Sequence, residues 1–407
     1  MRCTVVLVLL PLACAAEPES GETGDATGGD ASDGGSTGGP TTSMTGGTPE
    51  TTAGPGGPGS SSDGGGTEAG SSEGGDSTGI PQPSGVPLFV AQGHMGRTTI
   101  SCDRGQTWIH DHSLDDAVRC FDGIDCDHDE GAGTGLVFGD GAFLTTWGWG
   151  TEGNIARSTD GITWDVVVTG PTFAGLAFGD GVFVTGGHDA LRSADLGVTW
   201  ADPVDTGLTQ WTPRGIGWAP TAGGRFVIGG GGDVGDVVVS SDGGASWWHP
   251  DAAPIECGSS IRSIVASDDT IVIVRPGGAG AELCVSHDAG VEFTAIDLGD
   301  VYFESRAMWT GEAFLVWANG AMWSSTNGDD WTSTALQPAI NLGPVARDDA
   351  GNFVAVRGGW QVWYESQEFY RSTDGVTWET LAPGTFTPSH PMNHIAFGYV
   401  DATDACG

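Results

Sequence analysis

Seven times between residues 101 and 378 the chain repeats one short phrase. It reads SCDRGQTW (101–108), STDGITW (158–164), SADLGVTW (193–200), SDGGASW (241–247, with Ser240 ahead of it), SHDAGVEF (286–293), STNGDDW (325–331) and STDGVTW (372–378). The third letter is Asp103, Asp160, Asp195, Asp242, Asp288, Asn327 or Asp374, at successive intervals of 57, 35, 47, 46, 39 and 47 residues. A period of about 45 residues without helical patterning predicts blades of four short strands. Each phrase reads as a hairpin turn: the Asp or Asn side chain accepts backbone amides, glycine supplies a positive φ, and Thr-Trp starts the next strand. Two turn lengths occur, differing by one residue.

Ahead of the later phrases stand alternating strand pairs, such as GLVFGDGAFLTTWG (135–148), GLAFGDGVFVTGG (175–187) and AMWTGEAFLVWANG (307–320). Before the first phrase only PLFVAQGH (87–94) is present, and its missing partner stands at the other end of the chain as HIAFGYV (394–400). One blade shared by both termini closes the ring and removes free sheet edges. The expected fold is therefore all-β: a seven-bladed β-propeller over 86–407, closed by the C-terminal strand.

The phrase closely resembles the Asp-box, or BNR repeat, of sialidases and sialidase-like propellers such as sortilin-type receptors, xyloglucan-degrading enzymes and the photosystem II assembly factor. The resemblance covers 87–400. It implies that the phrase lies between the third and fourth strands of each blade, on the face away from the active site, and so is scaffolding. Sialidases also carry an F-R-I-P segment, a trio of arginines, a Tyr-Glu nucleophile pair and an Asp acid. No F-R-I-P occurs here, and none of Tyr302, Tyr364, Tyr370 and Tyr399 takes the nucleophile's role by spacing.

The first 85 residues are not built like a domain. MRCTVVLVLLPLACAA reads as an export signal over 1–15, with cleavage either before a lipidated Cys14 or after Ala15. Residues 16–85 are almost entirely Gly, Ser, Thr, Pro, Asp and Glu, a composition that predicts a disordered tether with a reach on the order of 45 Å. After the tether 42 carboxylates stand against 13 arginines, and lysine is absent. Such a surface repels phosphate backbones and anionic lipid heads, which argues against nucleic acid and leaves membrane attachment to a lipid anchor. The expected location is the cell surface, the outer membrane or the extracellular space, as a monomer.

Against that acidic background, arginine clusters are conspicuous. Alignment of the repeats puts Arg214, Arg262 and Arg306 in one slot, two residues before the first strand's leading apolar residue on three consecutive blades. The other blades hold Asn393, Thr134, Ala174 and Gly343 there. Gathered at the channel mouth, the arginines bind a carboxylate, sulfate or phosphate; the alternative is pairing with neighbours such as Asp205, Asp300 or Glu304. Trp147, Trp149, Trp211, Trp360, Trp363 and Tyr364 lie outside the seven phrases and suit either stacking on sugar rings or packing between blades. Glu365 and Glu368 are the first carboxylates to test for acid chemistry.

The longest interval holds an insertion with Asp125, Asp127 and Asp129 at alternate positions, a spacing suited to Ca²⁺ or to a plain solvated loop; His110, His112 and His128 nearby raise a transition metal as a further option. Six cysteines follow the signal region. Their even number predicts disulfides, with Cys257–Cys284, Cys120–Cys126 and Cys102–Cys406 as candidate pairs. The functional expectation is a non-catalytic propeller that binds a glycan or a cell-envelope protein at its channel mouth; a glycoside hydrolase or lyase is the alternative.

Overall fold

The computed structural model describes residues 85–93, 96–112, 114, 132–149, 152–170, 173, 175–187, 189–208, 215–230, 236–254, 257, 261–275, 282–299, 301, 306–357, 368–381, 392–401 and 406. Among them are twenty-eight strands and no α-helix. They make seven blades, the first from both ends of the chain. Blade I orders β28 (Met392–Val400), β1 (Val86–Gly93), β2 (Thr98–Ser101) and β3 (Ile109–His112). Blade II is β4 (Ala132–Gly139), β5 (Ala142–Trp149), β6 (Gly153–Ser158) and β7 (Asp165–Gly170).

Blade III pairs β8 (Leu176–Gly179), β9 (Val182–Thr185) and β11 (Arg192–Ser193), with β10 (Asp189–Ala190) joined to β12 (Val204–Asp205). Blade IV has β13 (Gly215–Ala219), β14 (Arg225–Gly229) and β15 (Val237–Ser240), and an isolated bridge from Val239 to Trp248 takes the fourth strand's place. Blade V is β16 (Ser263–Ala266), β17 (Ile271–Val274), β18 (Leu283–Ser286) and β19 (Thr294–Ile296). Blade VI is β20 (Met308–Trp309), β21 (Phe314–Ala318), β22 (Ala321–Ser325) and β23 (Thr332–Ala335). Blade VII is β24 (Leu342–Arg347), β25 (Phe353–Arg357), β26 (Phe369–Ser372) and β27 (Glu379–Leu381).

The second strand of each blade is deeply buried, and its β-branched and aromatic residues pack against both neighbouring blades. Leu144 of β5, for example, belongs to the core between blades II and III, whereas Phe143 next to it faces blade I. This alternation splits the core into seven wedges, one per blade junction.

The repeated phrase builds the same turn seven times. In every copy the serine hydroxyl donates to the Asp or Asn Oδ1 at 2.8–3.0 Å and accepts the glycine amide at 2.8–2.9 Å. The same Oδ1 accepts amides from the far side of the turn, such as Thr163 at 2.7 Å and Thr199 at 2.9 Å. Burial pushes the Asp103, Asp160, Asp242 and Asp288 carboxyls up, but the hydroxyl and amide donors outweigh it and hold all four below the ordinary carboxylate value. At Asp195 the Thr199 hydroxyl, and at Asp374 the Thr377 amide, lead the donors that bring the carboxyl down to about 2.

Turn length decides how the tryptophan is satisfied. In the three shorter turns the indole Nε1 of Trp164, Trp331 and Trp378 donates to the carbonyl of Gly161, Gly328 and Gly375 at 3.2, 2.6 and 2.9 Å. In the longer turns the extra residue carries that carbonyl out of reach, and Nε1 of Trp108, Trp200 and Trp247 is buried with no partner. The fourth long turn carries Phe293, which has no N–H to satisfy. Trp200→Phe and Trp247→Phe are therefore expected to leave the unfolding midpoint unchanged or raise it. Trp164→Phe and Trp378→Phe, which give up a made hydrogen bond, are expected to cost about 1 kcal/mol in denaturant unfolding. Equal effects in the two groups would contradict this account.

Each turn glycine faces the preceding blade. A Cβ on Gly197 would stand 2.7 Å from Leu144 of blade II, and one on Gly105 would overlap Val354 of blade VII. The repeat is thus an inter-blade wedge, which fits a role as scaffold.

Ring closure concentrates on the first phrase. β1 pairs β28 from Val86↔Val400 to Gly93↔Met392, as the strand sharing predicts. Cys102 is bonded to Cys406. Arg104 donates to the fully buried Asp348 at 2.8 Å and to Asp349 at 3.0 Å, both in blade VII. Trp108 stacks on Phe369 with ring centroids 3.9 Å apart. The second expected bridge, Cys257–Cys284, is also present and fixes the segment before blade V to β18. Cys120 and Cys126 lie outside the described residues.

Candidate functional site at the channel mouth

Antiparallel order within each blade sends the repeat turns to one end of the channel and the starts of the first strands to the other. The first strands pack side by side around the axis, β28 on β4, β4 on β8, β8 on β13, β13 on β16 and β16 on β20, and β24 returns to β28. Residues just before or at the start of these strands therefore ring one mouth. The slot derived from the repeats lies there: Asn393, Thr134, Arg262 and Arg306 are all described, whereas Arg214 and Ala174 are not.

Arg306 stands ahead of β20 in blade VI, and its Nη2 donates to the Thr134 carbonyl of blade II at 3.4 Å. Blades VI and II are nearly opposite in a seven-membered ring, so the side chain spans the mouth. Burial pushes its guanidinium down, and the positive charge of Arg262 pushes the same way, to about 10. The side chain keeps partial solvent access even though protein surrounds its charged end, the setting of a group lining a narrow channel. It stays charged at neutral pH. No described carboxylate pairs with Arg306, in a chain of 53. Asp205, one of the acids considered as a partner, is exposed and caps the Gly207 amide at 2.8 Å; Asp300 and Glu304 lie outside the described residues.

The opposite arc is neutral and polar. Asn393 Nδ2 donates to the Gly133 carbonyl at 3.0 Å, and His394 Nε2 lies 3.0 Å from the same oxygen. Gln92, fully buried at the end of β1, donates through Nε2 to the Gly93 carbonyl at 2.7 Å. Thr134 donates to Thr146 at 2.8 Å. These bonds fix both amides, because a flip would set oxygen against carbonyl oxygen. They leave Gln92 Oε1 and Asn393 Oδ1 buried with no hydrogen-bond partner, each at a cost of roughly 1–3 kcal/mol.

The tryptophan expectations need correction at Trp147. Its side chain is 2% exposed and packs with Leu136 and Leu114, while Gly96 lies close against its six-membered ring. The upper end of β5 turns this indole into the junction of blades I and II, so it presents no face to a ligand. Trp149 ends β5, but its side chain falls outside the described residues, as do Trp211, Trp360, Trp363, Tyr364 and Glu365. Glu368 accepts the Tyr370 hydroxyl at 2.7 Å. Asp125, Asp127, Asp129 and His128 also lie outside, whereas His110 and His112 are exposed on β3. Among the described residues no three His, Cys, Asp or Glu side chains gather as metal ligands. On the same face, Trp317, Asn319, Leu336, Asn341 and Leu342 line a small cleft, open to solvent, between blades VI and VII.

Sequence reasoning reached the arginines by aligning the repeats against an acidic background but gave no role to Gln92, and it placed Asn393 and Thr134 only as occupants of a slot. Neutral amides have no sequence signature. Their significance comes from which of their atoms go unsatisfied.

No family model and no curated protein matches the chain. Solved structures do match. A functionally unknown protein from Desulfotomaculum acetoxidans is 11% identical with a TM-score of 0.53, over 77% of this chain and 99% of that one. A quinonprotein alcohol dehydrogenase-like protein from Bacteroides thetaiotaomicron is 12% identical with a TM-score of 0.51, over 75% and 77%. YCF48 from Cyanidioschyzon merolae is 14% identical with a TM-score of 0.45, over 66% and 95%. At such identities the likeness is one of fold, that of a β-propeller.

Proposed function

We propose that this chain is an exported Asp-box propeller of the sialidase-like type, held at the cell surface through a lipid on Cys14 and its Gly/Ser/Thr-rich tether. It works by binding an anionic group of a glycan or a cell-envelope protein at the channel mouth. The observation that carries this reading is Arg306, spanning the mouth beside Arg262 with no described carboxylate to neutralise it. Arg214, by its place in the repeat, extends the same arc. Guanidinium groups grip carboxylate or sulfate in a fork, and a concave mouth concentrates their field. The two disulfides support an oxidising compartment.

Binding is favoured over turnover. Tyr370 is buried and bonded to Glu368, and Tyr399 lies at the far end of β28, where burial and the nearby Asp349 carboxylate push its hydroxyl up to about 12. Neither has the setting of a nucleophile at the mouth.

The test is a glycan array probed with the purified protein in Ca²⁺ or EDTA, beside Arg262→Ala/Arg306→Ala. Binding to acidic glycans that weakens about ten- to a hundredfold in the variant, with unchanged thermal unfolding, is expected. Turnover of a bound glycan would overturn the non-catalytic reading. Loss of binding in EDTA alone would assign Ca²⁺ to the loop of Asp125, Asp127 and Asp129.

A further inference from the structure

We infer that the channel mouth is built for a hydroxylated carboxylate, the chemistry of a uronic acid residue, rather than for a bare anion. This rests on the anion-binding reading above and adds the opposite arc to it. Two acceptors there have no donor among the described residues: Gln92 Oε1 and Asn393 Oδ1. They converge on one place, since a Cβ on Gly133 would overlap the Gln92 amide and stand 2.7 Å from Asn393 Oδ1. The next residue is Thr134, whose carbonyl receives Arg306. A cation and two unsatisfied acceptors therefore contact adjacent residues, Thr134 and Gly133, at the start of β4.

The chemistry that completes this set carries a negative group and a hydrogen-bond donor on neighbouring carbons. The sulfate dianion satisfies the arginine and, having no O–H, leaves both amide oxygens bare. A neutral sugar supplies donors but no charge for the guanidinium. A uronic acid supplies both, its carboxylate to Arg306 and a ring hydroxyl to the amide oxygens. The Arg306 bond to Thr134, long at 3.4 Å, is the weak link of the free mouth. Sites that hydrogen-bond a ligand hydroxyl discriminate strongly against analogues lacking it, because their own buried groups are then left unpaired.

Isothermal titration of the purified protein with glucuronate, cyclohexanecarboxylate, glucose and sulfate tests this. Glucuronate is expected to bind at least about tenfold more tightly than cyclohexanecarboxylate or sulfate, with glucose silent. Asn393→Ala, at a partly exposed position, is expected to erase that preference and keep the affinity for cyclohexanecarboxylate; Gln92→Met is the second variant should the first fail to fold. Arg306→Ala is expected to lose both acids. Equal binding of glucuronate and cyclohexanecarboxylate would overturn this inference while leaving the anion site standing. A preference that survives both amide variants would also overturn it. Silence toward every anion would remove the anion site itself, and the inference with it.

Discussion

Cys102→Ala/Cys406→Ala is expected to lower stability by up to about 5–6 kcal/mol, the chain-entropy value for a loop of this size. The bond spans 304 residues, nearly the whole propeller, so the unfolded chain regains a very large loop when it is lost. In the folded state little else changes, because β1 and β28 still pair along their length. Differential scanning calorimetry of the double variant measures the effect, with a fall in midpoint on the order of 10 °C. Cys257→Ala/Cys284→Ala is the comparison: its bond spans only 27 residues, so its entropic share is smaller, roughly 3–4 kcal/mol, although both sulfurs are fully buried. A midpoint unmoved by loss of the Cys102–Cys406 bond would mean that strand pairing alone closes the ring.

The second large effect is expected at Gly105. An alanine there meets two penalties: a left-handed φ of 85° and a Cβ overlapping Val354, itself buried in β25. The first costs about 1 kcal/mol and the second about 1–3 kcal/mol, because a β-branched core residue has little room to move. Gly181 separates the two terms. Its φ of 74° imposes the same backbone penalty, but an added Cβ meets nothing within 4 Å. Denaturant unfolding is expected to show Gly181→Ala losing about 1 kcal/mol and Gly105→Ala about 2–4 kcal/mol. Equal losses would mean that the turn does not wedge blade I against blade VII.

These two results concern the same eight residues, SCDRGQTW, in which Arg104, Gly105 and Trp108 reach blade VII and Cys102 is tied to the segment after β28. The other six phrases wedge neighbouring blades in the same way. The first does so in the one blade assembled from both ends of the chain, where β1 and β28 meet, and the bond, the ion pair and the ring stack collect there.

The sequence by itself determined the number of blades and the shared first blade, and it held both observed disulfides among its three candidate pairs. Each of these follows from spacing along the chain: a turn needs serine, aspartate and glycine at fixed offsets, and a strand pair needs alternation. It also marked Arg262 and Arg306, because an arginine in a lysine-free acidic chain is conspicuous by charge alone. The tertiary structure decided the rest, since it depends on neighbours far away in sequence. Trp147 reads equally as a stacking platform or as packing between blades until β5 is seen to turn it into the junction with blade I. Gln92 and Asn393 are ordinary amides until the fold commits their nitrogens to carbonyls and leaves their oxygens bare. Arg306 is one charge among fourteen until the ring carries it across to Thr134, 172 residues away in the chain. Local letters set local geometry, whereas hydrogen-bond satisfaction is a property of the closed ring.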